Sequence, residues 1–348
     1  MNAAVGAQCR TDTLGFELPD PDRTLTGVRL IQHAGLSKDR LDFSYDEVGR
    51  VWRLTVARPP LWRLEYLLER RGHDGGTDVV CDPENPRRVG GAFGDKSVLE
   101  CPEYATPAWL QLPPAEGSWR EVTLPAPAIR SQVSARIWSP GEPTDRVLVA
   151  HDGPEYERLA ALAHYSAAMV GAGSLPPHHL VLLAPGERNE WYSANPAYAW
   201  TLAADVLPRV FRELDTTRPV VGMGASLGAL AMLHAQRRYP AAFGALFLQS
   251  GSFFQPRYDR MESGFRRYLR IVRFTGRVLR AVDGPPVPAV LTCGLVEENL
   301  HNNRDMAATL LRQGYQARLF EVPDAHNYTG WRDAFDPYLT DLLRHVWR

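Results

Sequence analysis

The sequence contains no uninterrupted apolar run long enough to cross a bilayer, and residues 1–20 lack the basic segment and apolar core of a signal peptide. Charge of either sign is not in excess, because 39 basic and 40 acidic side chains leave a formal net charge of −1. This balance argues against bulk binding of nucleic acid or of a membrane surface. We therefore expect a cytoplasmic protein that acts on a small molecule.

Cysteine is scarce as well. The four cysteines, Cys9, Cys81, Cys101 and Cys293, show no paired spacing of the kind found in metal sites. We expect reduced thiols, as is usual in the cytoplasm, with a disulfide between Cys81 and Cys101 as the alternative. No metal and no cofactor is expected, and the sequence leaves the oligomeric state open.

Prolines cluster between two regions of different character, at positions 102, 107, 113, 114, 125 and 127. Before the cluster, the segments 28–32, 41–45, 51–57 and 62–68 are short and partly alternating, which is typical of antiparallel strands. After it, apolar strands alternate with helical segments such as 155–171 and 197–214, an order that yields a mostly parallel sheet. With 348 residues, the chain is long enough for two domains, predicted as a β-sandwich over 1–112 and an α/β domain over 113–348.

A glycine-rich segment, Gly224-Ala225-Ser226-Leu227-Gly228, stands between a short apolar run and a strongly helical run over 229–235. This is the strand–turn–helix context of a G-x-S-x-G nucleophile elbow, in which small neighbours allow a strained serine to project its hydroxyl outward. The amide of Leu227, at the start of the helix, would then stabilise an oxyanion.

Two other interpretations of this segment are a turn that packs a helix closely on a sheet and a dinucleotide-binding loop. The second fails in detail, because Leu227 stands where the third glycine is needed and no acidic residue follows about 20 positions on. The nucleophile elbow is the favoured interpretation.

A serine nucleophile needs a histidine base and an acid, and the chain supplies both in the order acid, then histidine. Residues 289–293 are predicted to form a buried strand, which Gly294, Glu297 and Glu298 follow. Residues 317–322 are predicted to form the last strand, with His326 in the loop after it. Open α/β sheets place their chemistry at the carboxyl ends of strands, so Ser226, His326 and one of the two glutamates are predicted to act together.

Together with other short motifs, these residues resemble the enterochelin (ferric-siderophore) esterases, within the esterase-D-like α/β-hydrolases. The matching motifs cover most of the chain and lie at 82–86, 96–99, 151–153, 222–228, 239–244, 249–254, 303–304, 326–328 and 331–332. The resemblance implies an α/β-hydrolase domain preceded by an immunoglobulin-like β-sandwich, and a triad of Ser226, Glu297 and His326. It favours Glu297 over Glu298 because the family's acid falls three residues after the glycine.

The implied activity is that of a serine esterase, acting through an acyl-enzyme on a siderophore-type ester or on aryl or acyl esters. An acyltransferase is the first alternative, because a hydroxyl acceptor can resolve the same acyl-enzyme in place of water. A non-catalytic carbohydrate- or partner-binding protein on a hydrolase scaffold is the second, and an intact triad argues against it.

One residue departs from the family pattern. In relatives the residue after Asp152-Gly153 lends its backbone N–H to the oxyanion hole, but here that residue is Pro154, which has none. We expect the amide of Gly153 or of Glu155 to take this role, and we expect Pro154 to bias Gly153 toward extended geometry.

Several residues are assigned to substrate binding. Asp152 and Trp331 belong to the matching motifs, and the aromatic pair Trp191 and Tyr192 would wall the acyl or aryl pocket. For the loop that carries this pair, the alternative is a structural ion pair between Arg188 and Glu190.

An insert over about 253–287 carries eight arginines between Arg257 and Arg280. Five of them, at 266, 270, 273, 277 and 280, recur at steps of three or four and so share one helical face. The residues expected to pack beside them are Leu269, Val272, Gly276 and Leu279. We predict a cap over the serine in which Arg270 and Arg273 bind an anionic ester; the alternative is a solvated face whose arginine stems cover apolar surface.

Overall fold

The computed structural model describes residues 6–348, which divide into two compact units. The first unit contains the residues up to Ala105 and two short segments from far along the chain, Gly294–Glu298 and Pro323–Asn327. The second unit contains Thr106–Cys293, Asn299–Val322 and Tyr328–Arg348. Both the predicted acid and the predicted histidine thus belong to the first unit.

The first unit is built from antiparallel strands, as predicted. The strands are β1 (Gln8–Cys9), β2 (Thr13–Pro19), β3 (Leu25–Gln32), β4 (Ser44–Asp46), β5 (Val51–Ala57), β6 (Arg63–Gly72), β7 (Thr77–Val80), β8 (Arg88–Val89) and β9 (Lys96–Glu100). One sheet has the order β1-β2-β5-β4; the other has the order β3-β6-β9-β8, with β7 paired to β6. Alternate residues of these strands, such as Phe16, Leu30 and Tyr66, meet in one buried core.

A disulfide joins Cys9 to Cys101, and so connects β1 with the end of β9 in the other sheet. The expectation of reduced thiols is therefore wrong for these two residues, and Cys101 pairs with Cys9 rather than with Cys81. The two cysteines are 92 residues apart, so only the packing of the strands brings them together. Disulfides are uncommon in a reducing compartment, so this bond argues against the predicted cytoplasmic location. The location itself stays a prediction.

The second unit has an eight-stranded mixed sheet. Its strands are β10 (Gly117–Ala126), β11 (Ser131–Pro140), β12 (Val147–Ala150), β13 (His179–Leu183), β14 (Val220–Ala225), β15 (Phe243–Gln249), β16 (Pro288–Gly294) and β17 (Gln316–Val322). The order is β10-β11-β13-β12-β14-β15-β16-β17, antiparallel from β10 to β13 and parallel from β13 to β16. The predicted α/β class and mostly parallel sheet are confirmed.

Ten α-helices complete the described part of the chain. They are α1 (Gly153–Ala160), α2 (Leu162–Gly171), α3 (Arg188–Trp191), α4 (Pro196–Trp200), α5 (Leu207–Leu214), α6 (Leu227–Arg238), α7 (Tyr268–Arg280), α8 (Leu300–Arg312), α9 (Tyr328–Asp333) and α10 (Thr340–Val346). The helix predicted over 155–171 is divided at Ala161, whose φ is 50°. The helix predicted over 197–214 contains a π-helical stretch at Thr201–Val206.

Helix α6 is buried from Leu227 to Gln236. A helix that is buried on all sides belongs in a core, and this one packs on β14 and β15 at the centre of the sheet. Among the described residues, no helix combines the length and the apolar character that a membrane span requires.

Candidate active site

Ser226 stands between β14 and α6, in the predicted strand–turn–helix. Its backbone is strained, with φ of 56° and ψ of −121°. The flanking glycines explain how the turn closes, because a Cβ on Gly224 would lie 2.6 Å from the backbone carbon of Gly228. The Ser226 amide donates to the Gln249 carbonyl at 2.9 Å, which ties the turn to β15. The side chain is only partly buried, as a nucleophile requires.

The residues that precede α1 pack on the start of α6, next to Ser226. Leu227 opens α6, so its N–H has no acceptor within the helix. The ring Nδ1 of His151 lies 3.0 Å from the Gly228 carbonyl, which places the turn before α1 on the first turn of α6. Burial lowers the pKa of His151 to about 4, although the Gly228 carbonyl and Asp152 act in the opposite direction. The other ring nitrogen, Nε2, lies 2.9 Å from the Tyr198 hydroxyl, so both nitrogens of this buried ring have partners and His151 is a structural residue.

Gly153 is the first residue of α1, so the expected extended geometry is wrong at this position. Proline disfavours helical geometry in the residue before it partly through a clash with that residue's Cβ, and glycine has none. A Cβ on Gly153 would lie 2.5 Å from the Leu182 backbone, so glycine is the residue that fits. Gly153, Pro154 and Glu155 form the first turn of the helix, where proline is well tolerated.

Glu297 and His326 form a hydrogen-bonded pair within the first unit. Oε2 of Glu297 lies 2.8 Å from Nδ1 of His326, and Oε1 accepts the Gly294 amide at 2.7 Å. The Glu297 side chain is 1% exposed and that of His326 is 36% exposed. A carboxylate at Nδ1 holds the imidazole in the tautomer that carries its proton there. By contrast, Glu298 is exposed.

Gly294 allows the two loops of this pair to approach. A Cβ at position 294 would lie 2.2 Å from the carbonyl oxygen of Asp324 and 2.8 Å from Oε1 of Glu297. Any other residue would push the acid and histidine segments apart.

No pattern in the sequence predicts the ion pair beside His326. Nη1 of Arg63 lies 3.2 Å from Oδ2 of Asp324, and the two residues are 261 positions apart. Burial raises the pKa of Asp324 to about 6, against the lowering effects of Arg63 and of hydrogen bonds from Ala325 and Asn327.

A second serine contacts the candidate nucleophile. The hydroxyl oxygens of Ser226 and Ser252 are 3.0 Å apart, and the Ser252 amide donates to the Ser226 carbonyl at 3.1 Å. Ser252 lies inside the matching motif at 249–254, which was the only sequence signal for it. Asn303 fixes the preceding residue by accepting the Gly251 amide at 2.9 Å and donating to its carbonyl at 3.1 Å.

The predicted pairing of Arg188 with Glu190 is wrong. Arg188 instead binds both carboxylate oxygens of Asp152 at 2.8 Å each, so the Asp152 carboxylate is engaged by a cation of the same unit. Glu190 pairs with Arg267 and with Arg270, the latter at 2.7 Å.

Arg270 therefore stabilises the loop that carries Glu190 and is not directed toward a ligand. Its guanidinium also donates to the Ser193 carbonyl at 2.6 Å. Arg273 is exposed, as are Arg266, Arg277 and Arg280.

The predicted packing stripe of the cap helix is wrong at Leu269, which is 64% exposed, whereas Leu279 is partly buried and packs against the core. The buried residues of α7 are Tyr268, Ile271, Phe274, Thr275 and Val278. These buried residues recur at the same three- and four-residue steps as the arginines, but they are offset from them by one or two positions in the sequence. Periodicity alone therefore does not distinguish the buried face of the helix from the arginine face.

The aromatic side chains assigned to a pocket wall lie in the core. Trp191 is 4% exposed and stacks on Tyr198, and Tyr192 is fully buried beside His151. Trp331 is 7% exposed and donates from Nε1 to the Ser250 hydroxyl at 2.9 Å. These buried side chains therefore stabilise the loops from within the core and do not form the surface of an open pocket.

The family model named Esterase matches residues 132–342, which is more than half of the chain. The chain belongs to the Esterase family. The resemblance drawn from the sequence motifs is confirmed. Membership of this family also supports the prediction that the protein is a carboxylic ester hydrolase.

Three relatives extend this comparison. The iron(III) enterobactin esterase of Dickeya dadantii (strain 3937) is 30% identical over 181 residues, which make up 44% of this chain. The match spans 41% of the length of that curated relative. The enterobactin esterase of Shigella flexneri, solved in the presence of 2,3-dihydroxy-N-benzoyl-glycine, has a TM-score of 0.75 and 19% identity, covering 100% of this chain and 98% of that one. The ferric enterobactin esterase of Salmonella typhimurium has a TM-score of 0.77 and 19% identity, covering 96% and 93%. At this identity the solved structures show the fold alone.

Proposed function

We propose that the protein is a serine esterase that hydrolyses carboxylic esters, with Ser226 as nucleophile, His326 as base and Glu297 as the orienting acid. The observation that carries the proposal is the hydrogen bond between His326 and the buried Glu297, in a chain that also has a strained serine elbow between β14 and α6. Acid and histidine follow β16 and β17, in the order Ser, acid, His that this fold uses.

The proposed reaction has two stages. The Ser226 hydroxyl attacks the ester carbonyl while His326 takes its proton, and the proton then passes to the leaving alcohol. Water repeats the sequence on the acyl-enzyme and releases the acid. Glu297 holds the imidazole in the productive tautomer and stabilises the imidazolium. The Leu227 amide, with that of Gly153 or Glu155, would bind the oxyanion.

For the substrate we propose a siderophore-type ester with an anionic portion. The matched relatives carry the name enterobactin esterase, and the exposed Arg273 of α7 suits carboxylate or catecholate oxygens. Purified protein should be assayed on short and long aryl esters, macrolactone siderophores and acylated sugars, with and without added hydroxyl acceptors. Free acid as the product supports hydrolysis, whereas acceptor-linked acyl product would replace it with acyl transfer.

We further propose that the two sheets of the first unit form an immunoglobulin-like β-sandwich, and that the hydrolase domain extends over 113–348, a range from which Gly294–Glu298 and Pro323–Asn327 pack with the first unit. Strands of both sheets share one buried core, which supports a sandwich.

Reversing the charge of Arg273 tests the proposed anion preference. Arg273→Glu should raise KM for an acidic ester by about three- to tenfold, the size expected for an exposed charge contact, and should spare a neutral ester of equal length. Arg209→Glu, an exposed reversal on α5, is the matched control. Equal changes for the two esters would favour the solvated-face interpretation.

The oxyanion hole is tested at the first turn of α1. Pro154→Ala restores an N–H and should leave kcat unchanged or slightly higher, because the donors lie elsewhere. If the Glu155 amide is a donor, Glu155→Pro should lower kcat about 100- to 1,000-fold, while Glu155→Ala keeps the amide and the activity. Loss of activity in Pro154→Ala, with the fold intact by circular dichroism, would show that the proline itself shapes the hole.

A further inference from the structure

The two loop segments that carry the acid and the histidine pack on the N-terminal strands of the first unit. Val296 and Ala325 are partly buried and pack against the hydrophobic core of these strands. The Trp62 amide donates to the carbonyl of Pro323 at 2.8 Å. Each segment therefore has an apolar anchor among the N-terminal strands, and the histidine segment also has a backbone hydrogen bond to them.

A buried charge network joins the same elements. Arg63, the first residue of β6, is 2% exposed and lies between Asp324 and Glu65, at 3.2 Å from each. Glu65 is also paired with Lys96 of β9 at 3.4 Å. A buried charge is tolerated when it is paired, and removal of one partner leaves the other uncompensated.

Asp324 connects this charge network to the turn that carries His326. Its Oδ1 accepts the Ala325 amide at 2.7 Å and Nδ2 of Asn327 at 2.8 Å, and these residues flank His326 on both sides. Oδ2 is the oxygen that faces Arg63. The turn is therefore built around one carboxylate whose second oxygen is held from β6.

We propose that the N-terminal strands position the acid–histidine pair for catalysis, and that Arg63 is a positioning residue that acts on His326 through Asp324. The proposal rests on the proposed esterase function of Ser226, Glu297 and His326. It gives the first unit a direct part in turnover, distinct from binding of the ester.

The test compares Arg63→Met, Asp324→Asn and the double variant with the wild type. Arg63→Met should lower kcat about 10- to 100-fold with little change in KM, because a small displacement of a reacting group costs rate rather than binding. The double variant should recover part of this loss, since it removes the uncompensated buried carboxylate. Arg70→Met, on the same strand but in an exposed pair with Asp78, is the control and should keep wild-type kcat.

The downfield Nδ1–H proton resonance of His326 gives a readout independent of turnover. It should shift or broaden in Arg63→Met and return toward its original position in the double variant. If Arg63→Met does not fold, the double variant and Arg63→Lys carry the comparison. Wild-type kcat together with an unchanged His326 resonance in folded Arg63→Met would overturn the proposal. An inactive wild type would instead contradict the esterase function, and the resonance would still decide whether Arg63 positions the histidine.

Discussion

Ser226→Ala is expected to reduce ester turnover by several orders of magnitude while the protein stays folded. The elbow leaves one hydroxyl in the strained position that opens α6, and members of a triad act as a unit, so His326→Ala should cost a similar amount. The measurement is kcat on an activated aryl ester, with circular dichroism to verify the fold.

Ser134→Ala, an exposed serine on β11, is the matched control and should behave as wild type. A fluorophosphonate should label Ser226 and should not label the Ser226→Ala protein. Near-wild-type turnover in Ser226→Ala, or labelling at another serine, would contradict the assignment of the nucleophile.

Glu297→Gln is expected to lower kcat by about 10,000-fold, the loss seen when a triad acid becomes an amide and the histidine is held in the wrong tautomer. Glu298→Gln should stay within a few-fold of wild type. The structure predicts this difference because Glu297 is buried against the Gly294 amide and His326, whereas Glu298 is exposed.

The two substitutions change the same functional group at adjacent positions, so they serve as controls for each other. Each variant should be assayed over a pH series on the same ester. Equal losses at the two positions would leave the acid of the triad unassigned.

The position of the arginines changes how the insert over 253–287 is understood. Arg267 and Arg270 hold Glu190, and Arg188 holds Asp152, so these cations stabilise the loops after β12 and β13. Among the arginines of the insert, the exposed ones of α7 are therefore the candidates for binding an anionic ligand. The Arg273→Glu experiment is aimed at that part of the helix for this reason.

Local patterns in the sequence predicted the strand–turn–helix around Ser226 and the order acid, then histidine of its proposed partners, whereas the choice of Glu297 over Glu298 came from the family resemblance. Gly224 and Gly228 are dictated by close backbone approach within a few residues, and the alternation of strands and helices is likewise a local property. The hydrogen bond between Glu297 and His326 matches the acid and the histidine that the motifs had selected, because both stand at fixed short distances beyond their strands.

Only the tertiary structure decided which distant side chains meet. The disulfide spans 92 residues, the Arg188–Asp152 pair 36 and the Arg63–Asp324 pair 261. The residues next to a cysteine or an arginine in the sequence do not indicate its distant partner. The partner depends on which strands and loops pack together after the whole chain has folded. For the same reason, Arg270, Trp191 and Tyr192 were predicted to bind a ligand, whereas in the structure Arg270 binds Glu190 and the two aromatic side chains lie in the core.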